Sequence, residues 1–535
     1  MFVNRKRLSL SFLLVSFLLL GLLAACGDVD TDQSVKSESP STPVKGGTLK
    51  VAFSADPDSI DWMYTAATAT RDVGWHIFES LFALDDDYKV RPLIAEDYEV
   101  SEDRTLYTIT IRPDVNFHNG RNVTVDDVVA SIERWRKVSG VGEITNEFIE
   151  SVKAVDENTI EIKLNKVYNS LLDDFAAPKA ALMIIPAEVA EEAGEEPLQP
   201  QQLIGTGPFK FDKWDKGNEI ILSKFADYSA RNETDWGGLT GKKIAYYDEI
   251  KFQIVKDPQV AINGVKTGLY DYAQSISPDL FEVIENEQTI ESITYIDGYT
   301  TITPNKSKSP FDDLKVRQAL NHALNKETIA KAVYGNDQFY HLDGALFAPE
   351  QTELYSEKGT NDYLAYDPEK AKQLLNESDY NGQTLKVMYA NNYADYEKIS
   401  EIMKQQLEEV GFSVELIPFE WATYLEKWSD PENWDIVVVG WSTRFSPNEL
   451  GMLGQGSSSS GFYESDRWVS LIQQWGTAEP GEERKEVLGK MNETVWEELP
   501  FLKVVNVTTL DIKSNKIEGF ESWVGQRHWN TWKSE

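Results

Sequence analysis

An α/β protein of two or three domains is what the sequence predicts, and three observations carry that reading. Leu385, Val387 and Tyr389 alternate like one face of a strand. Ile399, Ile402, Met403, Leu407 and Val410 recur at helical spacing up to Gly411, and Phe412, Val414 and Leu416 alternate again. Ile436 to Val439 is an unbroken apolar run that suits a strand buried on both faces. The chain has 535 residues, more than a single core normally serves. The 385–439 segment therefore reads β-α-β-loop-β, a mainly parallel sheet with right-handed crossovers. In such sheets ligands sit at the carboxyl ends of strands, so binding residues are expected just after Val439.

The other elements follow in chain order. Arg5, Lys6 and Arg7 precede an apolar stretch from Leu8 to Leu23, then Ala24, Ala25 and Cys26, the only cysteine. That is the layout of a secretory signal peptide, and a short N-terminal membrane anchor is the alternative. Small residues before a cysteine resemble the lipobox of bacterial lipoproteins. The resemblance implies a signal peptide over 1–25, cleavage before Cys26 and lipid attachment to its sulfur. With Cys26 so used, no thiol remains for disulfides. Residues 26–47 are polar and aperiodic and read as a disordered tether. About 20 such residues give a reach of roughly 25 Å. Beyond them Thr48 to Phe53, Thr105 to Arg112 and Thr159 to Leu164 alternate as strands. Thr124 is placed to cap a helix carrying Val128, Ile132 and Trp135, with Asp126 and Asp127 in its first turn.

Composition excludes some partners. Lys and Arg total 52 against 88 Asp and Glu, a net charge of -36 that repels phosphate backbones and argues against nucleic acid. The five histidines form no His-x-x-x-His pair, and neither a Gly-x-Ser-x-Gly elbow nor a phosphate-cradling loop with lysine occurs. An enzyme is therefore not expected, nor is a metal or other cofactor. The 15 Trp and 23 Tyr suit a carbohydrate or peptide pocket as well as core packing.

Several ordered segments together resemble one family. They are Gly46-Gly47-Thr48-Leu49 with Ile60-Asp61, Ile77-Phe78-Glu79-Ser80-Leu81, Arg112-Pro113-Asp114-Val115-Asn116-Phe117-His118-Asn119-Gly120, and Asp126-Asp127-Val128-Val129-Ala130-Ser131. Gly205-Thr206-Gly207-Pro208-Phe209 and Pro310-Phe311-Asp312-Asp313 with Val316-Arg317-Gln318-Ala319-Leu320 complete the set. These resemble the peptide- and nickel-type solute-binding proteins of ABC importers. The resemblance implies a two-lobed, periplasmic-binding-protein-like fold of type II, with mixed sheets, a hinge and a subdomain inserted in the first lobe. Mapped by the motifs, 48–81, 197–302 and 499–535 form the core of lobe I, 82–196 its insertion, and 303–498 lobe II. The motif residues themselves read as structural: Gly120 permits a turn, and Arg317 packs or pairs rather than binding ligand.

The same resemblance implies a lipid-anchored, monomeric receptor on the outer face of the bacterial membrane. It would capture a di- or oligopeptide or a peptide-like anion and deliver it to a permease driven by cytoplasmic ATPase subunits. The ligand residues it implies are Trp421, Trp441, Ser442, Thr443, Arg444 and Asn391 in lobe II, with Ala67, Thr68 and Ala69 in lobe I. Peptide binders of this type carry an aspartate for the peptide's α-ammonium where this chain has Arg444. Either Arg444 binds an anionic group of the cargo, as a bidentate fork would, or it makes an interlobe salt bridge. Oligosaccharide, a glutathione-like molecule, another small solute and a sensory role stay open. Nickel lacks imidazole ligands in these segments.

Overall fold

The computed structural model describes residues 42–179 and 181–534, so the signal-peptide and Cys26 readings lie outside the described residues. Among those described, no helix is long and apolar enough to cross a membrane.

Strand β1 (Thr48–Phe53) is followed by the hairpin of β2 (Phe82–Leu84) and β3 (Val90–Pro92). Next come β4 (Ala95–Val100), β5 (Leu106–Ile111), β6 (Ile149–Ala154) and β7 (Thr159–Leu164), a separate antiparallel sheet in the order β4-β5-β7-β6. The chain returns through β8 (Phe209–Asp215), β9 (Glu219–Lys224), β10 (Glu249–Ile254) and β11 (Tyr272–Ile276). The 15-residue β12 (Ile290–Pro304) leads out to β13 (Tyr340–His341), β14 (Thr384–Ala390), β15 (Ser413–Phe419) and β16 (Ile436–Trp441). The 13-residue β17 (Leu502–Ser514) leads back, and β18 (Ile517–Glu518) pairs with β19 (Trp532–Lys533).

Eleven strands make one sheet in the order β15-β14-β16-β12-β17-β11-β1-β10-β9-β8, with β13 on β17. β14 runs parallel to both β15 and β16, as the 385–439 pattern predicts. The sheet is nevertheless mixed, because β12 and β17 are antiparallel to their neighbours and to each other. Their alternation cannot reveal direction, since period-2 patterning is the same either way.

Two large cores flank this sheet. One gathers β1, the helix Thr68–Ile77 and the four-stranded subdomain around Trp62, Trp75, Phe82 and Trp135. The other gathers β14 to β16 and the helices Leu314–Ala323 and Ala394–Val410 around Leu320, Met403 and Trp434. We call these lobes I and II; β12 contributes to both cores, while β17 contributes to the second and pairs with β11 and β12.

Local signals explain the ends of several elements. Thr124 offers both its N–H and its hydroxyl to Asp127 Oδ2, each at 2.8 Å, which fixes the start of the Val125–Val138 helix. Asp313 caps Leu314–Ala323 by accepting from Lys315 N–H at 2.8 Å. Arg317 spends its guanidinium on the carbonyls of Glu498, Phe311 and Asp312, a structural role.

Candidate interlobe binding site

The site begins at a bend in β12. Its register against β17 shifts between Ile296 and Tyr299. Gly298 lies at the shift with φ +127°, and a Cβ there would sit 1.8 Å from the carbonyl oxygen of Trp441. Only glycine lets the two backbones approach so closely. Past the bend β12 pairs with β16, Tyr299 opposite Trp441.

Trp441, Trp421 and Asn391 stand at the carboxyl ends of β16, β15 and β14, where parallel topology predicts a site. Trp441 Nε1 donates to Thr301 Oγ1 at 2.9 Å. An aromatic row joins the two tryptophans: Trp421 stacks on Tyr424 at 5.5 Å, Tyr424 meets Trp428 at 5.3 Å, and Trp428 meets Trp441 at 5.9 Å. Asn391 is exposed and its N–H donates to Phe419 O.

Charged groups from both lobes meet just beyond. Lys179 Nζ, from lobe I, donates to Ser442 Oγ. Thr443 Oγ1 donates to the carbonyl of Ile296 at 3.3 Å, and Gln351 Nε2 donates to the carbonyl of Arg444 at 2.6 Å. The Arg444 guanidinium lies 5.9 Å from the Trp441 ring centre, with its Nε unpartnered. Glu449 Oε2 accepts from Phe445 N–H at 2.9 Å, while its Oε1 has no partner; nor has Asp297 Oδ1 on β12. Arg71 pairs with Asp72 at 2.9 Å, both buried.

Burial sets the protonation of this group. Desolvation, with Arg444 and Arg71 adding repulsion, lowers Lys179 to about 7. Burial raises the carboxyls of Asp297 and Glu449 against the pull of Lys179, and raises Asp72 to about 6. Lys179 and Asp72 meet Ser442 and Arg71, whereas Asp297 Oδ1, Glu449 Oε1 and Arg444 Nε are buried without a partner, which is costly.

The lobes are shut on one another. Phe445, in the loop after β16, packs against the Tyr88–Trp523 pair of the lobe I core; the centroids of that pair are 5.3 Å apart, and each is 6.3 Å from that of Phe445. Asn448 Nδ2 donates to Tyr168 Oη at 2.7 Å and to Asp174 Oδ1 at 3.2 Å. The cavity lined by Gly298, Tyr299, Thr443 and Arg444 is about 10 Å³, room for about one water. Trp441 is not among its walls; it is spent on Thr301 and Trp428. A solute must enter with the lobes parted.

Sequence reasoning named Ser442, Thr443 and Arg444; in the structure they meet Lys179, Ile296 and Gln351 respectively. Among the described residues no hydrogen bond or ion pair joins Ala67, Thr68 or Ala69 to them. Ala67 is exposed, and its carbonyl accepts from Arg71 N–H at 3.0 Å. The charged partners Arg71, Lys179, Asp297 and Glu449 went unnamed. Arg71 adjoins the 67–70 segment and Glu449 follows Arg444 by five residues, so proximity could have found those two. Lys179 and Asp297 carry no local signal.

Asp174 gives the closed state a pH dependence. Its Oδ2 accepts from Thr145 Oγ1 at 2.7 Å and from the Tyr168 hydroxyl. Burial raises it from 3.8 to about 7. The folded carboxyl then keeps a proton that the unfolded chain has lost, so its contribution weakens as pH climbs from 3.8 through about 7. Asp174→Asn should erase that slope. Relative to the parent it should gain as pH climbs across that window, from a starting point lowered by the loss of one of the two oxygens that accept from Asn448, Thr145 and Tyr168. Urea midpoints at pH 5 and pH 8 check this, the variant gaining on the parent between them.

Two α/β lobes crossed by two long strands, with orphaned charges from both between them, define a hinged receptor for a small solute. The sequence comparisons agree. Residues 89–463 match the family described as bacterial extracellular solute-binding proteins, family 5 (middle region), and the chain belongs to that family. It is 28% identical over 457 residues to a probable peptide ABC transporter periplasmic-binding protein of Sinorhizobium fredii, covering 82% of this chain and 85% of that one. It is 27% identical over 474 residues to the oligopeptide-binding protein AppA of Bacillus subtilis, covering 84% and 83%. The ABC transporter substrate-binding protein CtaP of Listeria monocytogenes superposes with a TM-score of 0.80 at 23% identity, over 92% of this chain and 100% of that one. The fold is thus the two-lobed, type II arrangement of periplasmic binding proteins. Among the described residues no group of three or more His, Cys, Asp and Glu side chains is placed to hold a metal ion.

Proposed function

We propose that this protein captures a peptide, or a peptide-like anion, between its lobes and hands it to an ABC permease, without chemical turnover. The observation that carries the reading is the set of unpartnered atoms between the lobes: acceptors on Asp297 and Glu449, and a donor on Arg444. A zwitterion with an α-ammonium and a carboxylate complements that set. Glu449 and Asp297 take the ammonium role left open by arginine at position 444, and Arg444 takes a carboxylate. The peptide binders among the relatives support the cargo class.

In this reading lobe I comprises 48–81, 197–302 and 499–535 with the insertion 82–196, and lobe II comprises 303–498. The strands β12 and β17 cross between them. Trp421, Trp441, Ser442 and Thr443 border the cargo, with Asn391 and the Ala67–Ala69 segment at its rim. The receptor acts as a monomer tethered through lipid on Cys26.

Calorimetry with di- to pentapeptides tests this. Arg444→Ala should weaken binding about 30-fold or more, about 2 kcal/mol, as expected for removing one side of a desolvated charge pair. Unchanged affinity in that variant, or capture of oligosaccharide and no peptide, would overturn the reading.

A further inference from the structure

Asparagine followed by glycine occurs three times in the chain, at Asn119-Gly120, Asn263-Gly264 and Asn381-Gly382. All three asparagines are exposed. We propose that Asn381 is a site of spontaneous covalent modification, where the folded protein deamidates to aspartate and isoaspartate, and that the fold protects the other two pairs.

The chemistry needs only the chain and water. Hydroxide removes the proton of the glycine N–H, and the nitrogen attacks the side-chain Cγ of the preceding asparagine. The bond from Cγ to the amide nitrogen breaks, ammonia leaves with a proton taken from water, and a five-membered succinimide remains. Water then opens the ring at either carbonyl. One opening gives aspartate; the other gives isoaspartate, whose main chain is longer by one methylene. Glycine favours the attack because it has no Cβ to crowd the ring and its dihedrals are the least restricted.

Two of the pairs are held. Gly120 N–H donates to Phe117 O at 2.8 Å and Asn119 Oδ1 accepts from Arg121 N–H at 3.0 Å, so both reacting groups are engaged. Gly264 is buried in the helix Pro258–Thr267, where the helical ladder fixes its nitrogen. It packs so closely that a Cβ there would lie 2.1 Å from the Tyr270 ring.

The third pair is not held. It lies in the turn between the helix Pro368–Asn376 and β14. Among the described residues, neither the Asn381 side-chain amide nor the Gly382 N–H has a hydrogen-bond partner. Nothing beyond its chain neighbours comes within 4 Å of the position a Gly382 Cβ would take. The flanks are pinned instead. Asn381 N–H donates to Gln383 Oε1 at 3.1 Å, and the Tyr380 hydroxyl donates to Gln383 O at 2.9 Å while accepting from Ser413 N–H at 2.8 Å. The reacting atoms therefore approach one another without breaking a hydrogen bond or a packing contact. The turn stands at the amino end of β14, on the order of 20 Å of strand from Asn391, so the new carboxylate arises away from the proposed cargo residues.

The folded full chain, incubated at pH 7 and at pH 9, is digested and read by mass spectrometry. The Asn381 peptide should gain the mass difference between an oxygen atom and an NH group and resolve into two chromatographic forms. It should react at least about tenfold faster than the peptides of Asn119 and Asn263, and faster at pH 9 than at pH 7. In urea at pH 7 the three rates should converge, because the fold no longer separates them. Asn381→Gln, at an exposed position, should abolish the new forms. An intact Asn381 in the folded chain, equal rates at the three pairs in the folded chain, or an unchanged preference for Asn381 in urea would overturn the proposal. The measurement needs no cargo, so failure of the peptide-capture reading would leave it untouched.

Discussion

Gly298→Ala is expected to destabilise the protein by about 4 kcal/mol or more, among the largest effects a single added methyl can have. The new Cβ would stand 1.8 Å from the carbonyl oxygen of Trp441, at a φ of +127° that side chains rarely adopt. Neither backbone can yield cheaply. Tyr299 on β12 is locked opposite both Trp441 on β16 and Asn506 on β17, and Ile296 is locked opposite Thr508. The strain should therefore part the strands at the junction of the lobes. Urea denaturation should show the lost stability, and small-angle scattering a larger radius of gyration. A variant with the parent's midpoint and radius would show that the bend in β12 is not rigid.

Phe445→Ala is expected to remove about 3–5 kcal/mol from the closed arrangement. Its ring is 6% exposed, belongs to a lobe II loop, and packs with the lobe I core against the Tyr88–Trp523 pair. Truncation leaves a ring-sized hole at the contact between lobes and spares the interior of lobe II. Opening should therefore be the chief consequence, unfolding the lesser one. Scattering and limited proteolysis of the linking strands would report it, and peptide affinity should fall as the closed state loses population. If compactness and protease resistance match the parent, Phe445 does not latch the lobes.

Much of the fold could be read before any contact was known. The alternation at Leu385–Tyr389 and Phe412–Leu416 and the run Ile436–Val439 became β14, β15 and β16 in parallel register. The Thr124 cap was also plain, because it rests on a side chain within three residues of the backbone that it serves. Arg444 was conspicuous for replacing an acid. Lys179, Asp297 and Glu449 were not, since each gains meaning only from partners on other elements: Lys179 reaches Ser442 across 263 residues of chain. Asp297 is half-buried, and its Oδ1 lacks a partner only because of what packs over it at the bend.

The sequence by itself determined the class of fold and the ends of β14, β15 and β16, with Trp441 closing β16 and Arg444 three residues beyond it. Periodicity, capping and turn chemistry are local, and local order suffices for them. Tertiary structure alone decided how tightly the lobes meet, which charges face one another without partners, and which Asn-Gly pair is left unheld. Desolvation and electrostatic pairing depend on what surrounds a group in space, and chain order does not encode that.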